Sequence, residues 1–376
     1  MDLPIEIYQL ILFRTDFKTQ IRLRQINHLF YAKLEIHDFY DVPYSWRLSD
    51  EILRMHPCVR ALTYDRSPRI FNINYLTRLE KLRSRNSCHL TDSHIANLNL
   101  IKLNAGYSPN ITNVNHMSNL KILYADGICG INDKGIIKLD LNKLNAADNS
   151  KISNIGHMTN LQILNAEGNS GIDDISIQNL TNLTELYARD NEKITNVNHL
   201  TKLKVLDAGR DCGIADYGIT NLNLTKLHVD SNRKITRVSH MSKLSVLHAR
   251  VTTGISTEEI YKLDLKKLDW TYNWKNINLD HMTRLEVLWA EGDSAIGDFT
   301  IRKLNLRKLF ANNNAKITTV NHMSRLEFLG AEDDCGVGDA GISDLNIRAV
   351  FKYRNDKITT CPYEPAVPGE GIPQWN

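Results

Sequence analysis

One nine-residue pattern, Leu-x-x-Leu-x-Ala-x-x-Asn, governs what this chain can fold into. It runs from Leu161 to Asn169 and again from Leu183 to Asn191. Its middle alternates apolar and variable residues, the period of a short strand with one buried face. The closing Asn falls where the chain must turn out of the strand, and its amide can satisfy backbone groups in the bend. So short a strand buries no core alone and needs a like neighbour on each side. The chain is therefore expected to stack coil upon coil as a solenoid.

The first position of the pattern recurs at Val59, Leu79, Leu100, Leu120, Leu141, Leu161, Leu183, Leu203, Leu224, Leu244, Leu265, Leu285, Leu306, Leu326 and Ile347, fifteen copies spaced 20 to 22 residues apart. Spacing and pattern resemble leucine-rich repeats, whose unit is about 20–29 residues. Two kinds of copy alternate. After one kind, Asp173 or Asp174 can cap a helix that places Ile177 and Leu180 on one side. After the other, Lys193-Ile194-Thr195-Asn196-Val197 is β-branched and reads as extended. The expected fold class is α/β: a right-handed, all-parallel horseshoe from about residue 58 to 355, an inner sheet roughly 70 Å long, and short helices alternating with extended or 3-10 segments outside. The sixth position is mostly Ala, and Trp270 there is expected to force a local rearrangement.

A chain of 376 residues would ordinarily suggest two or three globular domains. The repeat overrides that prior, because a solenoid grows along one axis. A net charge of +3 does not favour a generic nucleic-acid binder. The six cysteines, Cys58, Cys88, Cys129, Cys212, Cys335 and Cys361, lack CxxC spacing. Cys129, Cys212 and Cys335, each before Gly at one repeat position, read as reduced, buried small hydrophobes of a cytoplasmic or nuclear protein. No apolar run is long enough for a membrane span, and no basic lead marks a secretory signal.

Residues 1–45 depart from the repeat. Pro4 suits a helix start, and Ile7, Leu10 and Ile11 share one face. A second helix after Asp16 would align Leu23, Ile26, Phe30 and Leu34. These helices can serve as a cap over the first coil, which solenoids require. They also resemble an F-box, through Leu3-Pro4-x-Glu6-Ile7-x-x-x-Ile11 and Leu23-x-x-Ile26-Asn27-x-x-Phe30-x-x-Leu34, with Phe30 where that family usually has Trp. The resemblance implies docking on a Skp1-like adaptor of a cullin-type ubiquitin ligase through Leu3, Pro4, Ile7, Ile11, Leu23, Ile26 and Phe30. Returns such as Cys129-Gly130-Ile131 and Cys212-Gly213-Ile214 are similar to those of F-box/leucine-rich-repeat proteins. Others are closer to internalin-type repeats, and the near-identical copies resemble repeat proteins encoded by giant DNA viruses of amoebae. Residues 46–58 form a linker with a capped helix near Leu48–Met55, residues 59–360 the array, and residues 361–376 a Pro-rich cover or tail.

His116, His157, His199, His240, His281 and His322 recur at one place, but equivalent atoms two coils apart lie roughly 10 Å from one another, too far to share a metal. Backbone bonding is the role expected. No nucleophile–base pair, phosphate loop or catalytic carboxylate pair stands out, so neither an enzyme nor a cofactor is expected. On the inner face the third position carries Lys102, Lys143, Lys226, Lys267 and Lys308, and the seventh carries Asp126, Glu167, Glu291 and Glu332. These rows are expected to neutralise one another through cross-strand pairs, against a nucleic-acid groove. The fifth position does not repeat. Trp289, Phe310, Phe328, Phe351 and Tyr353 cluster in the last third and either fill space by stacking on one another or form a partner-binding hot spot. The reading is a monomeric, soluble protein-interaction protein: a substrate-recruiting F-box subunit with a protein target on the concave face. The alternative is a free-standing scaffold whose N-terminal helices only cap the array.

Overall fold

A computed structural model of the chain describes residues 4–12, 15–40, 48–65, 70 and 72–360. Three short helices come first: α1 (Ile5–Leu12), α2 (Phe17–Arg24) and α3 (His28–Lys33). The single second helix expected from the apolar spacing is split. Asn27 adopts an extended backbone and its side chain accepts from Phe30 N, so it starts α3 anew. Leu12, Phe30 and Leu34 form a small core, with Ile5, Tyr8 and Leu23 packed on it. Two glutamines bolt these helices to the chain that follows. Gln9 exchanges two hydrogen bonds with the backbone of Glu35, and buried Gln20 accepts from His37 N while donating to Thr15 O.

Sixteen strands, among the described residues, lie in sequence order in one sheet. The first, β1 (Asp38–Phe39), precedes the fifteen repeat copies and pairs in parallel with β2 (Ala61–Thr63). Between them α4 (Asp50–Arg54) is capped by Ser49, as the linker sequence anticipated. Each later strand occupies the third to fifth pattern positions, from β3 (Lys81–Arg83) to β16 (Ala349–Phe351). All the registered strand pairs are parallel. Short helices, from α5 (Asp92–Ile95) and α6 (Asp133–Ile136) to α10 (Asp298–Ile301), follow alternate strands, and a 3-10 turn at Asp339–Gly341 takes that place last. The chain divides into two compact units, Met1–Leu186 and Tyr187–Asn376.

The core is built from repeated positions. Leu206, Leu227, Leu247 and Leu268 at the fourth position are fully buried, as are Ala208, Ala249 and Ala290 at the sixth. Trp270 is fully buried too, yet the ladder around it is undisturbed: Leu268 pairs with Leu247 and Leu288 in register. The rearrangement expected of it is confined to its own return segment, where the indole N–H donates to Lys275 O at 3.1 Å. In the lysine-bearing kind of copy the closing Asn bonds as anticipated. Asn232 Nδ2 donates to Ala208 O and Ile214 O, and Asn314 does the same to Ala290 O and Ile296 O. In the other kind the buried position falls one residue later: Asn169 is exposed and Ser170 is buried.

Candidate interaction surface on the sheet of residues 187–360

Because side chains alternate along a strand, the third, fifth and seventh positions share the face opposite the leucine core. In the second unit the strands are β9 (Val205–Asp207), β10 (Lys226–His228), β11 (Val246–His248), β12 (Lys267–Asp269), β13 (Val287–Trp289), β14 (Lys308–Phe310), β15 (Phe328–Gly330) and β16. Their register sets the fifth-position residues side by side: Asp207, His228, His248, Asp269, Trp289, Phe310, Gly330, Phe351. The row has a polar half and an aromatic half.

The polar half is an ion-pair network. Two imidazoles, His228 and His248, lie with ring centroids 4.1 Å apart between two carboxylates. His228 Nδ1 is 3.6 Å from Asp207, and His248 Nδ1 is 3.4 Å from Asp269. Arginines at the seventh position complete it. Arg189 reaches Asp207 at 3.4 Å and Asp230 at 2.9 Å, and Arg250 reaches Asp269 at 3.0 Å. Burial alone would raise Asp207 and Asp269, but the histidine hydrogen bonds and the arginine charges hold both below the usual carboxylate value. Burial pushes His248 down. This network was not picked out as a site from the sequence. Its signal was there, in acid–His–His–acid at consecutive fifth positions with arginine two residues after the strand.

In the aromatic half, Trp289 and Phe310 stack, with centroids 5.3 Å apart and planes 4° from parallel. Both remain half-buried rather than covered. Gly330 separates Phe310 from Phe351, so the fifth-position aromatics form a stacked pair and an outlier rather than one cluster. Phe328 lies at the third position beneath Lys308 Nζ, 4.6 Å from its ring centroid. Tyr353, at the seventh position, is 63% exposed.

The expected pairing of the lysine row with the acidic row is not what forms. Lys102 and Lys143 lie over the Tyr124 ring, and Lys308 over Phe328. The reason is geometric: third and seventh positions are four residues apart along a strand, about 13 Å. Two of the seventh-position acids, Asp126 and Asp230, are met by arginines of their own column. Arg85 bonds Asp126 at 2.8 Å and Arg189 bonds Asp230, each pair 41 residues, or two coils, apart. The series then stops. Arg250 turns to Asp269 instead of Glu291, and two coils before Glu332 stands Glu291 itself. Among the described residues neither glutamate has an ion pair. Burial, then Asp269, drives Glu291 above its ordinary value against the lowering charge of Arg250, with Glu332 adding to the rise; burial, then Asp333, raises Glu332.

Four of the six recurring histidines bond backbone as expected, whereas both ring nitrogens of His157 are buried without a hydrogen-bond partner among the described residues. His116, His240, His281 and His322 lie within 2.9–3.2 Å of Ile95 O, Ile219 O, Leu263 O and Ile301 O. Of the residues aligned with an F-box, Leu3 lies outside the described residues. Pro4, Ile7, Ile11 and Ile26 are exposed, Leu23 is half-buried, and Phe30 is core at 7% exposure and therefore unavailable for docking. Cys129, Cys212 and Cys335 are buried thiols, pushed up by burial, to about 11 and 12 for the first two. Cys58 is half-buried and Cys88 exposed, while Cys361 and the Pro-rich tail lie outside the described residues. No described helix is long and apolar enough to cross a membrane.

No family model and no curated protein matches the sequence. Solved structures do. A TLR13–single-stranded RNA complex aligns over 86% of this chain at 18% identity with a TM-score of 0.55, and the chain spans about half (53%) of that receptor chain. Two internalins of Listeria monocytogenes, inlF and InlJ, align over 78% and 76% of the chain, at 18% and 20% identity and TM-scores of 0.35 and 0.37. The alignments cover 83% and 62% of those two chains. The in-order parallel strands, the twenty-residue coils and the TLR13 alignment give one conclusion: this chain has the leucine-rich-repeat solenoid fold.

Proposed function

We propose that the chain is a non-catalytic scaffold that binds a protein partner across the sheet face of residues 187–360. One observation carries the reading: the stacked, incompletely covered Trp289–Phe310 pair on a face whose other positions largely repeat. A periodic surface cannot tell partners apart, so discrimination rests on its deviations, and large aromatics are the commonest anchors. The TLR13 structure is of an RNA complex. Here the same face interleaves Asp230, Asp269, Glu291 and Glu332 with its basic residues, which disfavours a polyphosphate ligand. The test is affinity for a partner recovered by cross-linking and then purified. Trp289→Ala is expected to weaken binding about thirtyfold, from an anchor of about 2 kcal/mol at 1.4 kcal/mol per tenfold. Lys143→Ala should change it little. The reverse order, with binding that collapses as salt is added, would replace the protein partner by a nucleic acid.

A second reading concerns the N-terminal helices. Ile7, Ile11, Ile26 and Leu29 are 39%, 44%, 61% and 54% exposed, an apolar set that supports docking on a Skp1-like adaptor. The Gln9 and Gln20 clamps support a cap, and one module can serve both ends. Ile11→Asp leaves the Leu12–Phe30–Leu34 core intact and is expected to abolish binding to a purified Skp1-type adaptor by calorimetry. No binding by the unsubstituted chain would leave the helices as a cap alone.

A further inference from the structure

One position of the outer returns bridges a coil to the helix of the next. Asn74, Asn115, Asn198 and Asn321 fill it in four coils and all bond alike. Each donates from Nδ2 to the carbonyl 19 residues on, at 2.5–2.8 Å. Each accepts at Oδ1 from the backbone N–H 23 residues on, at 2.8–3.2 Å. Where the residue is Ser239, Glu259 reaches back from the next coil and accepts from Val238 N and Ser239 N. Where it is Asp280, Arg302 and Lys303 pair with it. Gly156 has no side chain to do either. The groups it would have joined are Ile175 O and Asn179 N. Among the described residues Asn179 N–H has no acceptor, and Ile175 O takes only a long 3.4 Å bond from Gln178 N.

The same junction is open at a second point. Gly135, Gly218 and Gly341 pack so tightly that an added Cβ would strike Thr112 O, Thr195 O and Thr318 O. Their carbonyls accept from Val114 N, Val197 N and Val320 N at 2.9–3.0 Å. In α7 (Asp174–Ile177) the corresponding residue is Ser176, too large for that approach. Its hydroxyl donates to Ser153 O at 2.6 Å, and among the described residues no bond joins Ile155 N to Ser176 O. What remains is a cleft of about 670 Å³ lined by Gly156, His157, Ile175, Ser176, Gln178 and Asn179. An added Cβ at Gly156 meets nothing closer than 3.7 Å. His157 buries both ring nitrogens there with no hydrogen-bond partner among the described residues, a costly arrangement unless a ligand supplies the bonds.

We propose that this cleft binds a primary carboxamide from outside the chain, which donates to Ile175 O and accepts from Asn179 N as the asparagines do in their own coils. The site is separate from the sheet face of residues 187–360 and goes beyond the scaffold reading. A carboxamide carries one planar donor and one acceptor side by side, whereas a carboxylate has no donor and an ammonium no acceptor. The volume leaves room for whatever carries the group. Two sources do: an asparagine or glutamine side chain of another protein, and a free small amide.

The first probe is acetamide, the asparagine side chain cut free at Cα, compared with acetone, which has nearly the same shape and no donor. Binding to the full chain is read from the Asn179 backbone amide signal by proton–nitrogen NMR. Acetamide is expected to bind about fivefold more tightly than acetone, the worth of one hydrogen bond. Gly156→Asn fills the cleft with its own carboxamide and should remove that preference. The second probe is acetyl-Gly-Asn-Gly-N-methylamide, with its leucine counterpart as control. If the asparagine peptide binds more tightly than both acetamide and the leucine peptide, the source is a protein side chain; otherwise it is a free small amide. Acetone binding as tightly as acetamide, an Asn179 signal that acetamide leaves unmoved, or a preference that survives Gly156→Asn overturns the proposal. The two probes on the unsubstituted chain decide the matter even if the variant misfolds.

Discussion

Glu291 and Glu332 leave a signature in the stability of the chain without any ligand. Both carboxyls titrate above their ordinary 4.5 in the folded state, through burial and neighbouring acids. The folded chain therefore holds these protons more tightly than the unfolded one, and ionisation at neutral pH costs stability that is regained as pH falls through the raised value. Glu291→Gln is expected to raise the urea midpoint at neutral pH, and the gain should vanish once pH drops below 4.5, the unfolded value. Asp207 and Asp269 have the opposite sign. Their depressed values contribute stability in full above 3.8 that is lost as pH falls further. A midpoint for Glu291→Gln that is lower at neutral pH would mean its carboxylate is paired after all. Two of the roles at this scale were legible in part in the residues themselves, the closing Asn in the lysine-bearing copies and the backbone bonds of four recurring histidines. The arginine reach was not, because it links residues 41 apart whose identities do not repeat.

Among the elements, the returns differ in how one coil is bridged to the next. Asn115, Asn198 and Asn321, each just before a recurring histidine, donate to Lys134 O, Tyr217 O and Ala340 O and accept from the backbone N–H of Lys138, Asn221 and Asp344. At the equivalent place stands Gly156, where an added Cβ meets nothing closer than 3.7 Å. Gly156→Asn is expected to close this bridge onto α7 (Asp174–Ile177) and to stabilise by about 1–2 kcal/mol, read as a higher urea midpoint at unchanged slope. The spacing of Ile177 and Leu180 was enough to place these helices outside. It was not enough to show the left-handed turn at the eighth position, occupied by Asp190, Arg210, Ser231, Val251 and Tyr272 with φ of 55–60°. Gly, Asn and Asp fill this position in many copies, but Arg210, Val251 and Tyr272 show that the neighbouring coil also dictates the conformation: Val251 N donates to Thr271 O and Tyr272 N to Glu291 O. Even a β-branched valine is held where it is intrinsically disfavoured.

For the whole molecule, the repeat count alone supplied fifteen of the sixteen strands. The missing one, Asp38–Phe39, is two residues long and joins by backbone pairing, with no pattern to betray it. Since strands pair only with their neighbours in sequence, damage should stay local. Leu227→Ala is expected to cost about 2–5 kcal/mol and to speed hydrogen exchange in the coils of β9 to β11 while β15 keeps its rate. Uniform acceleration across residues 187–360 would show a cooperative block instead.

Lysine tethers run up the outer side of the stack. Lys234 and Lys357 hand their amines to Cys212 O and Cys335 O at 3.0 and 2.9 Å, Lys275 to Thr253 O at 2.7 Å, and Lys316 to Ser294 O at 2.9 Å. Each amine is thus a reporter of one junction. An acylating reagent attacks the unbonded, neutral amine, so it must wait for that junction to part. Timed acetylation followed by mass spectrometry would then record the breathing of the stack as a ladder of reaction times, one rung per 41 or so residues.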